Sequence, residues 1–105
     1  MSDCLIYITA SDAAEALSIG RDLVERRLAA CANAHGPVTS IYRWQNEMQQ
    51  VQETVLIAKT TADLVERHTE RVVEIHSYEC PGVVSVPITG GHLPFLEWID
   101  AETDT

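Results

Sequence analysis

In 105 residues the sequence has one lysine and one phenylalanine, and none of its apolar runs approaches the ~20 residues that a membrane-spanning helix needs. Each scarcity closes off a class. Seven basic residues stand against sixteen acidic ones, a formal net charge of −9. Such a surface is repelled by phosphate backbones, so nucleic acid is not an expected partner, and anionic membranes are disfavoured on the same ground. The three cysteines, Cys4, Cys31 and Cys80, are odd in number and form no Cys-x-x-Cys pair. Neither a disulfide framework nor a closed zinc site is encoded by that spacing. Asp3 stands where a secretion signal carries positive charge, and the apolar stretch after it is too short for one, which gives a cytoplasmic expectation. No P-loop, Gly-x-Ser-x-Gly, His-Glu-x-x-His or Gly-x-Gly-x-x-Gly pattern occurs, so no enzyme class is signalled.

What the chain does have is an apolar fraction of 46%, enough to argue against disorder despite the charge. The length suits one domain. A strongly acidic field attracts cations.

The run Cys4-Leu-Ile-Tyr-Ile-Thr9, rich in branched and aromatic residues, predicts a buried central strand. Ser11 or Asp12 can cap a following helix, with Ala13, Leu17, Gly20, Val24 and Leu28 at helical spacing and Ala16 and Leu23 widening the stripe. Gly20 suits close packing against a sheet. The chain is expected to turn through Gly36-Pro37 and to run as a strand from Val38 to Trp44. A turn at Gln45 to Met48, where Asn46 tolerates a left-handed backbone, leads into a strand from Val51 to Lys59. Thr60 or Thr61 caps a second helix whose inner face carries Leu64, His68, Val72 and Ile75. Val83 to Ile88 forms a fourth strand, and Leu93 to Trp98 a short helix or final strand. This order is the split βαβ of an α+β, ferredoxin-like βαββαβ sandwich. The arms of the central hairpin are longer than usual and its tip carries Trp44 and Met48, a combination that a soluble monomer avoids. The hairpin is therefore expected to pair with another subunit.

Six blocks in order resemble one family: Glu25-Arg-Arg-Leu-Ala-Ala-Cys-Ala-Asn33, Thr39-Ser-Ile-Tyr-Arg-Trp44, Ala58-Lys-Thr-Thr61, His76-Ser-Tyr-Glu-Cys-Pro81, Val86-Pro-Ile-Thr-Gly-Gly91 and Phe95-Leu-Glu-Trp98. They resemble the CutA divalent-cation tolerance proteins, and the resemblance covers residues 1–105 as a single domain. It implies a ferredoxin-like protomer in a homotrimer similar to the PII signalling proteins, with a role in tolerance of copper or another divalent cation. Against the family's pattern, Ser77 replaces a proline and Gly82 a glutamate. Ile75 and Ile8 stand where some members carry a histidine and a cysteine.

The expected metal donors are His76 and Glu79, three residues apart at a helix end, since imidazole suits copper and zinc; Cys80 would add a soft ligand. His76 could instead engage the helix's terminal carbonyls. Cys31 lies among small residues and reads as a packed thiol, reactive only if His76 or Lys59 lay against it. Lys59 can hold a carboxylate at a subunit interface or an anionic ligand, and in the second case the protein is a PII-like sensor of a small anionic metabolite. Tyr42, Trp44, Tyr78 and Trp98 are expected in subunit packing, or as the lining of a pocket there. His68 is expected packed and hydrogen-bonded in the core; His35 and His92 are expected on the surface.

Overall fold

The computed structural model describes residues 2–103. Its first strand, β1 (Asp3–Ala10), alternates from Cys4 onward: Cys4, Ile6, Ile8 and Ala10 are buried, while Tyr7 on the opposite face is exposed. The nearly continuous apolar run thus serves a strand central in its sheet but covered fully on one face only.

Helix α1 (Ala13–Glu25) is capped by Asp12, whose carboxylate accepts the Glu15 amide at 2.8 Å. Its buried residues are Ala16, Ile19, Gly20 and Leu23, so the inner stripe lies to one side of the expected one. Leu17 and Val24 are exposed, and Ile19, not anticipated, is a core residue. At Gly20 an added Cβ would lie 3.2 Å from Leu56 Cδ1, the close approach that the glycine was expected to allow. The helix ends with Arg27 in the left-handed region at φ 59°, Arg27 N donating to Val24 O and Leu28 N to Leu23 O. Glycine usually occupies that position. Here the arginine side chain is held by a 2.9 Å bond to the carbonyl of Ala101.

Strands β2 (Cys31–Trp44) and β3 (Glu47–Thr61) form one long antiparallel hairpin, closed at Gln45 and Asn46, both with positive φ. The expected turn at Gly36-Pro37 is instead a bulge within β2, where the ladder slips between His35 and Val38. Proline has no amide to give the ladder, and a side chain at 36 would meet the Glu53 carbonyl at 3.1 Å. Both residues therefore fit a bulge as well as a turn.

Thr60 and Thr61 close β3 and cap nothing; the chain passes through a short 3₁₀ turn (Ala62–Leu64) into α2 (Val65–Ile75). Leu64, His68 and Val72 are buried on its inner face, as expected, with Ile75 half-buried. After β4 (Val83–Ile88) comes α3 (Leu93–Glu102), a helix begun by Pro94 in its first turn, which decides between helix and strand.

The sheet order is β2-β3-β1-β4, every neighbour antiparallel. Helices α1 and α2 cover one face over the core of Ile6, Ile8, Ile19, Leu23, Leu56 and Val72, while α3 packs on β1 and β3 with Ile99 buried. This is the expected mixed α+β arrangement. The hairpin stretches the molecule to 44 × 25 × 21 Å and its radius of gyration to 14.1 Å, against about 13 Å for a compact domain of this length. Ile41 and Met48 near its tip are 64% and 69% exposed. No helix among the described residues is long and apolar enough to cross a membrane.

Candidate functional site

Where β1 ends, α1 begins and the segment after α2 returns, the backbone leaves several polar groups close together. Glu15, one turn into α1, gathers them. One oxygen accepts Ser11 N and Ser11 Oγ, both at 2.9 Å, and the other accepts Ser77 N at 2.8 Å. Burial alone would raise this carboxyl; the hydrogen bonds from Ser11 and Ser77 together outweigh it and hold it at about 2. Glu15 thus stays ionised and ties the segment after α2 to the start of α1.

His76 sits beside it with its side chain fully buried. Nδ1 lies 2 residues back from the Tyr78 amide and accepts it at 3.1 Å, and Nε2 lies 2.8 Å from the Thr9 carbonyl. A backbone amide can only donate and a carbonyl only accept, so the ring carries its hydrogen on Nε2. Both nitrogens are then engaged, and neither lone pair is left for a metal in this arrangement. That departs from the expectation that His76 is a ligand: its role here is to fasten the end of α2 onto β1. The Glu15 carboxylate, 3.8 Å from Nδ1, adds a charge partner should the ring protonate.

Tyr78 packs its ring 4.7 Å from that of His76 and donates its hydroxyl to Glu53 Oε2 at 2.5 Å. Glu53 is buried in β3. Burial first, and then the hydrogen bond to Glu53, pushes the Tyr78 hydroxyl above its ordinary range, so it remains a donor. Above this pair opens a cleft of about 620 Å³, walled by Tyr42 and Trp44 from the hairpin and by Tyr78, Glu79 and Cys80 from the returning segment. Glu79 and Cys80 are exposed, and the Cys80 thiol is free.

The structure therefore gathers five of the nominated residues in one cleft, with His76 beneath it. The other three lie elsewhere. Cys31 and Lys59 face each other across the β2–β3 ladder, in line with Leu5 of β1, whereas His76 bonds to Thr9. Four residues of strand, about 13 Å, separate those rows, so no Cys31–His76 pair forms. Lys59 Nζ donates to Asn33 Oδ1 at 2.6 Å, and among the described residues no carboxylate is its partner. Trp98 stacks on Phe95 in α3 at 5.5 Å. His68 is packed as expected but not hydrogen-bonded: among the described residues neither ring nitrogen has a partner, and burial lowers it to about 4.

Among the described residues no three His, Cys, Asp or Glu side chains converge as a set that could hold a metal. The cleft of one chain offers Glu79, Cys80 and Glu53 spread along its wall. Sequence reasoning missed Glu15 and Glu53. The spacing Asp12-x-x-Glu15, a capping-box signature, points to the first; for the second the only signal is a single acid within the expected strand from Val51 to Lys59.

Residues 4–102 match a family described as CutA1 divalent ion tolerance protein. The divalent-cation tolerance protein CutA of Thermus thermophilus is 40% identical over 99 residues, 94% of this chain and 96% of that protein. Human Protein CutA is 34% identical over 99 residues, again 94% of this chain but only 55% of that protein; the chain spans little more than half of such longer relatives. Among solved structures, CutA1 from Oryza sativa superposes with a TM-score of 0.96 at 32% identity, covering 99% of this chain and 95% of that one. CutA from Xylella fastidiosa gives 0.95 at 36% identity, covering 99% and 100%. Similar proteins carry names from different compartments, among them a chloroplastic one from Arabidopsis thaliana and a periplasmic one from Archaeoglobus fulgidus.

Proposed function

This chain belongs to the CutA1 divalent ion tolerance family, and on that premise we propose that it is a homotrimeric, non-catalytic module that binds or responds to divalent cations, copper foremost, in the cytoplasm. The observation that carries the reading is that one element serves two needs. The long hairpin exposes Ile41, Trp44 and Met48, apolar surface that another copy would cover, and the same hairpin walls the cleft with Tyr42 and Trp44. Assembly and site are therefore coupled.

In this reading Glu79 and Cys80 are the donors on each chain, a carboxylate and a soft thiol suited to copper, and a neighbouring protomer or water completes the set. His76 acts by positioning: its bond to Thr9 and the bond it receives from Tyr78 hold the segment that presents Glu79 and Cys80. The acidic charge of −9 favours cation approach, and in a trimer it concentrates further. Copper titration by calorimetry at neutral pH tests this. Glu79→Gln combined with Cys80→Ser should abolish the binding seen with the wild type, and equal weak binding by both would overturn it.

A second reading has one observation in its favour. Lys59, half-buried on β3, is bonded to a neutral amide and not to a carboxylate, leaving its charge for an anion. A PII-like sensor of a small anionic metabolite would then use the surface around Lys59. Such a metabolite should raise the melting temperature of the wild type and leave Lys59→Ala unmoved.

A further inference from the structure

The cleft above the Tyr78–Glu53 pair has walls that the copper reading leaves unused. Tyr42 and Trp44 are two apart in β2 and project from one face of the hairpin, with Arg43 on the other. The register sets Tyr42 opposite Gln49 and Ser40 opposite Val51, so Val51 and Glu53, at even steps along β3, share the face of the two aromatic rings. Tyr78 closes a third side, its hydroxyl donated to Glu53 Oε2 at 2.5 Å. Among the described residues the ring contacts are Tyr78 with His76 and Phe95 with Trp98, so no two of the three walls have closed on each other.

The floor of the cleft is a carboxylate. Glu53 is 6% exposed, and among the described residues no lysine, arginine or histidine pairs with it. A charge this buried is costly unless a counter-charge and hydrogen bonds meet it. Tyr78 meets one oxygen; the other, Oε1, accepts no hydrogen bond among the described residues. No basic side chain lines the cleft, and a second carboxylate, Glu79, stands in its wall. Those charges turn an anion away and leave a place for positive charge. Around Glu53 the walls are aromatic and aliphatic, which suits an organic cation: ring faces attract its charge, and Val51 packs against its hydrocarbon body. Oε1 calls for a hydrogen-bond donor, which a primary ammonium has and a quaternary one lacks.

We propose that the cleft binds a primary organic amine as its ammonium ion, the N–H groups donating to Glu53 Oε1 and the hydrocarbon body lying along Val51, Tyr42 and Trp44. A volume of about 620 Å³ is of the size that holds a small molecule. Glu53 and the level of Tyr42 are four residues of strand apart, about 13 Å, a span that an alkyl chain and the Tyr42 side chain bridge together. The inference does not rest on the copper reading, whose donors are Glu79 and Cys80 and not Glu53.

n-Hexylamine is the probe, fully protonated at pH 7, with n-hexanol and hexyltrimethylammonium as its neutral and N–H-free counterparts. The protein's two tryptophans supply the readout by proton magnetic resonance: the indole N–H of Trp44 reports the cleft and that of Trp98, on α3, is the internal control, the two being assigned with Trp98→Phe. Hexylamine should shift the Trp44 signal saturably, with a Kd on the order of 1 mM, and leave Trp98 unmoved. Hexanol and hexyltrimethylammonium should each bind about 10-fold more weakly or worse. Glu53→Gln keeps an acceptor for Tyr78 and loses the charge, and should weaken hexylamine by about 10- to 100-fold. Tyr42→Leu should weaken it by about 2- to 5-fold. Copper uptake by Glu53→Gln should match the wild type, which separates the two readings. The comparison of hexylamine with hexanol on the wild type carries the test alone if Glu53→Gln does not fold. A Trp44 signal unmoved at roughly ten times the expected Kd overturns the proposal. Equal affinity for hexylamine and either counterpart, or wild-type affinity in a folded Glu53→Gln, does the same.

Discussion

Replacing Glu15 with glutamine should cost the fold stability at neutral pH and remove a defined part of its acid sensitivity. The carboxylate accepts Ser11 N, Ser11 Oγ and Ser77 N at 2.8–2.9 Å, with its side chain 15% exposed. Its ordinary value of 4.5 falls to about 2 in the folded state, a difference worth on the order of 3 kcal/mol. Because the folded value lies below the unfolded one, the unfolded chain binds the proton more readily between the two. The contribution is therefore complete above pH 4.5 and is lost as pH falls toward 2. Glutamine keeps one acceptor oxygen but turns an N–H group toward one of the serine donors, so Glu15→Gln should lose about 2–3 kcal/mol at pH 7. Urea unfolding at one protein concentration, from pH 7 to pH 2, reads both effects. The wild-type stability should fall more steeply below pH 4.5 than that of the variant, and the two curves should converge near pH 2. Parallel curves, or a difference under about 0.5 kcal/mol at pH 7, would show that the bonds to Ser11 and Ser77 do not hold the segment after α2.

His76→Ala leaves the Thr9 carbonyl and the Tyr78 amide without their partner, and calorimetry should show a loss of about 2–6 kcal/mol, one to three for each orphaned group. His68→Leu fills a buried position with an apolar side chain and removes two unpartnered nitrogens, so it should stabilise the protein by about 1–3 kcal/mol at pH 7. Since burial holds His68 at about 4, below its ordinary 6.5, the wild type loses stability as pH falls through that window, and the leucine variant should be flatter there in thermal melts. Gly20→Val pushes methyl groups toward Leu56 Cδ1, already 3.2 Å from where a Cβ would sit, and should lower stability by about 1–3 kcal/mol in the same melts.

The architecture was largely legible because hydrophobic period is a local property. The alternation in Cys4 to Ala10, the stripe of Leu64, His68 and Val72, and the apolar tip of the hairpin each sit within a few residues of sequence. Where local signals were ambiguous the reading slipped. Gly36-Pro37 suits a turn or a bulge equally, and the ladder of β3 alongside it selects the bulge. In α1 the apolar residues outnumber the positions that the sheet can cover, and the packing of Gly20 on Leu56 selects Ile19 over Leu17 and Val24.

The site was legible as a list of residue types and illegible as geometry. Tyr42, Trp44, Tyr78, Glu79 and Cys80 do share a cleft. The partners that define its chemistry are distant in sequence: Glu15 reaches Ser77, 62 residues away, and Tyr78 reaches Glu53, 25 residues away. No spacing rule connects such pairs. His76 illustrates the limit, because a histidine beside a glutamate reads as a ligand until the direction of its ring is known. Its engagement with Thr9 O and Tyr78 N turns a candidate donor into a fastening.

The central claim, that assembly through the hairpin creates the binding site, is tested most directly by native mass spectrometry with and without copper. The account predicts a species of three times the 11.6 kDa chain that takes up copper. It also predicts that Ile41→Glu with Met48→Glu shifts the mass to a single chain and abolishes uptake together. A wild type that appears only as the 11.6 kDa chain at micromolar concentration, or a monomeric variant that binds copper as the wild type does, would contradict it.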